Sequence, residues 1–108
     1  MARTYRTLDD HLTAKLADRG RAQDYLQLAI EEFEEDGDVE AFLTALRSVA
    51  QAQGGIAHLA EQSGISRQHL YKALSAHGNP QLSTLSRILR GMGYRIRLEQ
   101  ATPKLQGA

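Results

Sequence analysis

At 108 residues, with 42% apolar and 24% charged side chains, the chain has the length and balance of one compact domain and not those of a disordered segment. It has no cysteine, which excludes disulfides and thiolate metal sites, and no apolar run of membrane-spanning length or signal-peptide type, so a cytoplasmic location is expected. The net charge of zero conceals a split: residues 1–40 carry five Lys/Arg against eleven Asp/Glu, a balance of −6, and residues 41–108 carry eight against two, a balance of +6.

Thr7-Leu8-Asp9-Asp10 has capping-box spacing, and Leu8, Leu12 and Leu16 recur every four residues, which predicts a first short helix up to about Ala17. Gly20 marks a break. From about Arg21 to Glu35, Ala22, Tyr25, Leu26, Ala29, Ile30 and Phe33 follow the i, i+3, i+4 rule of an amphipathic helix. Its outer face and end are acidic: Glu31, Glu32, Glu34, Glu35 and Asp36. Acid at a helix C-terminus opposes the macrodipole by a few tenths of a kcal/mol or more, so stability does not account for it. It is either a solvated helix end or a docking surface for a basic partner, with Tyr25 and Phe33 as apolar anchors. Gly37 ends this helix, Asp38 caps the next, and Val39, Phe42, Leu43, Leu46, Val49 and Ala50 give a third helix its buried stripe to about Gln53.

After Gly54-Gly55, residues 56–74 read as a helix-turn-helix. Ile56 and Leu59 are apolar at helical spacing, Ala60 is small where two helices cross closely, and Gly64 leaves the first helix where positive φ is needed. Ile65 plugs the turn, Ser66 can cap the second helix, and Leu70, Ala73 and Leu74 pack that helix down. Arg67, Gln68, His69, Tyr71, Lys72 and Ser75 remain outward, a face with two cations and no acid. Such side chains can reach base edges and phosphates; the bland reading is an ordinary helical hairpin with small residues at its crossing.

Gly78-Asn79-Pro80 is a loop, and Leu82, Leu85, Ile88, Leu89 and Met92 make a last helix, ended by Gly93. Tyr94, Ile96 and Leu98 then alternate with Arg95 and Arg97, which is strand periodicity. A lone strand cannot satisfy its backbone, so a symmetry mate in a homodimer or the edge of another protein's sheet is the expected supplier. Residues 1–37 thus read as an acidic helical extension, 38–99 as a DNA-binding domain with a C-terminal strand, and 100–108 as a loose tail.

His11, His58, His69 and His77 form no i, i+4 pair and stand beside no carboxylate partner set, so each reads as an isolated surface histidine and no metal is expected. Ser63, Ser66 and Ser75 lack elbow-type glycine flanks, and Gly54-Gly55 lacks the spacing of a phosphate-binding loop. No enzyme and no cofactor are expected.

The segment from Tyr25 to Leu98 resembles the addiction-module antidote proteins with an Xre-type helix-turn-helix, the HigA-like group of type II antitoxins. The residues that carry the resemblance begin with Asp24-Tyr25-Leu26, Ala29, Glu31-Glu32, Phe42-Leu43-Thr44-Ala45-Leu46, Val49-Ala50 and Gly54-Gly55. They continue with Leu59-Ala60-Glu61, Gly64-Ile65-Ser66-Arg67, Leu70-Tyr71-Lys72-Ala73-Leu74-Ser75, Gly78-Asn79-Pro80, Thr84-Leu85 and Gly93. The resemblance implies a five-helix Xre or lambda-repressor-like bundle, homodimerisation, operator binding and neutralisation of a RelE/ParE-fold toxin that cleaves translated mRNA. It puts Arg67, Gln68, Tyr71 and Lys72 on the recognition helix. Ser83 and Thr84 fall at the start of the following helix, where amides and hydroxyls meet phosphate, with Arg87 one turn on.

The expected protein is therefore an all-α, dimeric DNA-binding antitoxin that represses its own operon. Two alternatives remain at this level: a stand-alone repressor of the same fold without a toxin, and a protein-interaction module that has lost DNA binding.

Overall fold

Asp18 decides where the N-terminal helical region breaks. In this computed structural model, which describes residues 11–101, residues 11–17 form a first helix, α1, and α2 spans Arg19–Asp36. Asp18 stands between them with extended backbone, and its side chain accepts a hydrogen bond from the Arg21 N–H at 3.0 Å. A capping carboxylate satisfies one of the donors that a helix start leaves unpaired. The break expected at Gly20 therefore lies two residues earlier, and Gly20 belongs to the first turn of α2. The capping box expected at Thr7–Asp10 and the tail beyond residue 101 lie outside the described residues.

Gly37, at φ 74°, closes α2 by donating its N–H to Phe33, and Asp38 caps α3 (Val39–Ala52) by accepting from Glu40 N–H. α4 (Gly55–Ser63), α5 (Arg67–Ala73) and α6 (Leu82–Gly91) follow. α6 ends in a paired cap: Gly93 N–H donates to Arg90 O at 3.0 Å and Tyr94 N–H to Leu89 O at 2.8 Å, with Gly93 left-handed as the sequence expected.

α2 packs on α3, and α4 is the hub that touches α3, α5 and α6. Leu16, Leu43, Leu46, Val49, Leu70, Leu74 and Ile88 are fully enclosed, so one apolar cluster runs from the end of α1 to α6. α4 and α6 approach closely. A Cβ added at Gly91 would lie 3.0 Å from Ser63 Cβ and 3.1 Å from the Leu59 side chain, so Gly91 meets α4 at Ser63. Leu82, counted with the apolar stripe of α6, is 71% exposed because it is the first residue of the helix, a turn outside the core.

The expected strand at Tyr94–Leu98 is corrected for the single chain: residues 94–101 have no regular structure, and no strand is present among the described residues. The alternating side chains remain, but no neighbouring strand offers backbone partners. Tyr94 is also engaged elsewhere. It is half-buried against the core, and its phenol donates to the Arg19 carbonyl.

Candidate nucleic-acid interface

Between α4 and α5 the chain turns in three residues. Gly64 adopts φ 73° and donates its N–H to Ala60 O at 3.0 Å. Ile65 is buried in the turn, its N–H donating to Ser63 Oγ at 3.2 Å, and Ser66 Oγ caps α5 by accepting from His69 N–H at 3.1 Å. The turn therefore follows the steric demands read from residues 56–74. Leu70 and Ala73 are the buried side of α5, and Arg67, Gln68, His69, Tyr71 and Lys72 are all exposed, Tyr71 by 61%. Ala57, Ala60, Glu61 and Ser66 border a shallow, open surface beside Arg67. Glu61 puts one acid on its rim.

The flanking residues divide. Ser83 is exposed in the first turn of α6 and Thr84 half-buried next to it, so they share the start of that helix. Arg87 is exposed, but its Nη2 donates to Gly64 O at 2.9 Å and to Ser63 O at 3.3 Å. Its guanidinium thus closes the end of α4, which its expected place on a phosphate did not require. Ser75 Oγ donates to Lys72 O at 2.9 Å, within its own helix end.

A second face lies on α2. Glu31, Glu32 and Glu35 are exposed, whereas Tyr25 and Phe33 are half-buried against the core beside Ala29 and Ile30. Glu31 is held within the helix by Gln27, whose Nε2 donates at 2.9 Å. Asp36 accepts from Asp38 N–H at 2.8 Å and so has a turn-forming role. Leu28 went unremarked in the sequence. It is 58% exposed and stands three, four and seven residues before Glu31, Glu32 and Glu35, which places it on their face. Its signal was an apolar residue off the buried stripe.

Of the residues expected at a dimer contact, Ile96 is 46% and Leu98 93% exposed, and Tyr94 is set apart from both by its contact with α2. The four histidines are all exposed, and no group of three metal-ligating side chains forms among the described residues.

Residues 7–100 match a family described as "Probable addiction module antidote protein". The chain belongs to that family. It is also 30% identical over 86 residues to an uncharacterized protein of Haemophilus influenzae, covering 80% of this chain and 88% of the relative. No solved structure matches it significantly. As a member of the antidote family the chain has an antitoxin role and, with it, a toxin partner. Among the described residues no helix of the antidote is long and apolar enough to cross a membrane.

Proposed function

We propose that this antidote is a cytoplasmic, non-catalytic DNA-binding repressor of its own operon, with an Xre-type helix-turn-helix formed by α4 and α5. The carrying observation is the acid-free exposed face of α5, in which Arg67, Gln68, His69, Tyr71 and Lys72 stand over a capped and buried turn. A recognition helix presents its first turn to base edges, which suits Arg67 and Gln68, while the first helix of the pair crosses the backbone. Ser66, Ser83 and Thr84 are the flanking polar groups for phosphate. A homodimer joined through the alternating tail at Ile96 and Leu98 would present two such helices to a two-fold site.

The toxin would sit on α2. Glu31, Glu32 and Glu35 follow the exposed Leu28 along one face of α2, an apolar residue next to three acids, which suits the basic surface that an RNA-cutting RelE/ParE-fold enzyme needs for its substrate. Tyr25 and Phe33 contribute through their exposed edges.

The test is selection from a random duplex pool with the full chain, alone and after coexpression with any small basic protein that a neighbouring reading frame encodes. Recovery of one two-fold-related motif, together with a copurifying toxin, is the expected result. A chain that holds the toxin yet enriches no motif is an interaction module, and one that enriches a motif with no toxin is a stand-alone repressor.

A further inference from the structure

The two helices assigned to DNA each end on carbonyl groups taken by an arginine from a different helix. The last carbonyls of any helix have no intrahelical donor. At the end of α4, Arg87 of α6 donates from Nη2 to both Gly64 O and Ser63 O. At the end of α5, Arg47 of α3 donates from Nη1 to Leu74 O while its Nη2 donates to Thr44 Oγ1 at 3.2 Å. Arg47 is itself half-buried, so this contact is partly shielded from water.

These contacts are more directional than the packing. α5 has seven residues, about two turns, too short to hold a shape alone. Leu70, Ala73 and Leu74 hold it down, but apolar packing confines a crossing angle only to within about 15–20°. A guanidinium is a planar fork with fixed donor directions, so it sets where a carbonyl lies. We infer that Arg47 and Arg87 are positioning residues that set the angle between α4 and α5, and hence discrimination between DNA sequences. Arg87 acts through the turn and not on phosphate. This rests on the proposed DNA reading.

Replacement by Met keeps the apolar stem and removes the donors. The probes are the duplex selected by the wild-type chain and a random duplex of equal length. Arg47→Met and Arg87→Met are each expected to weaken the selected duplex about tenfold while random DNA and its salt slope stay unchanged. Equal losses on both duplexes, with a salt slope lower by about one, would make Arg87 a phosphate contact and overturn its assignment. Amide hydrogen exchange without DNA gives a second readout: Gly64 and Ile65 are expected to exchange faster in Arg87→Met, and Leu74 in Arg47→Met, with Leu46 of α3 unchanged. Uniform acceleration at every amide, or none at these, would overturn the positioning role. If the wild-type chain selects no duplex, the DNA reading fails by itself and the exchange pattern still decides the clamp.

Discussion

The Tyr94 phenol donates to the main-chain carbonyl of Arg19 at 2.9 Å, joining residues 75 apart in sequence. The Arg19 side chain in turn lies over Gly93, where an added Cβ would be 2.6 Å from its Nη1. The end of α6 and the start of α2 are thus fastened by two contacts, which ties the acidic helix to the basic half of the chain.

Tyr94→Phe removes that donor and leaves the ring. A cost of ~0.5–1.5 kcal/mol is expected, seen as a lowering of the thermal midpoint relative to wild type that is the same at every protein concentration. A midpoint equal to wild type, with weakened self-association, would return Tyr94 to the dimer contact.

Gly78 and Gly37 need to be glycine for different reasons. A Cβ at Gly78 would lie 2.9 Å from Ala73 C and 3.0 Å from Lys72 O, against the backbone that ends α5. Gly37 has open space around it but sits at φ 74°. Gly78→Ala should cost ~1–3 kcal/mol by collision, whereas Gly37→Asn, which tolerates left-handed backbone, should cost less. Denaturant midpoints of the two variants give the order directly; the reverse order would refute it.

On the exposed face of α5, Arg67→Ala and Gln68→Ala are each expected to cost ~1–3 kcal/mol on the selected duplex and little on random DNA. Lys72→Ala should weaken both and lower the salt slope by about one. Titrations at three salt concentrations separate the two behaviours, and equal losses on both duplexes for Arg67 and Gln68 would end the base-reading assignment.

Ile96→Pro removes a backbone donor from the exposed tail without touching the core. It should shift sedimentation toward monomer and weaken the two-fold site in parallel. An unchanged dimer would move the interface to another surface, with the exposed Leu82 end of α6 the next to mutate.

Reversing Glu31, Glu32 and Glu35 to Lys should slow association with the cognate toxin at low salt and leave duplex binding intact, because rim charges act chiefly on encounter. Leu28→Ala should instead speed dissociation, as loss of a central apolar contact does. Stopped-flow association and a dissociation chase measure the two; unchanged rates in both variants would leave the acidic run as a solvated helix end.

Most helix ends were legible because the residues that make them act within a few positions. Gly37, Asp38, Gly64, Ser66 and Gly93 each close a hydrogen bond to a residue two to four positions away, so the pattern that encodes the cap is itself local. Gly20 misled because glycine permits a break without requiring one, and the neighbouring Asp18 supplied the stronger signal. The buried stripes of α3 and α5 followed from helical spacing in the same way.

The sequence by itself determined the helical class, the turn between α4 and α5, and the outward side chains of α5, since caps and amphipathic spacing are properties of neighbouring residues. Only the tertiary structure decided what the arginines and Tyr94 do. Arg47 meets Leu74 across 27 residues, Arg87 meets Gly64 across 23 and Tyr94 meets Arg19 across 75, and a lone charge or phenol carries no periodicity that names its partner. It likewise decided that Leu28 and Leu82 lie outside the core, because burial depends on whether another helix covers that face. Packing around α4 brings Arg87 to the turn that α4 and α5 share.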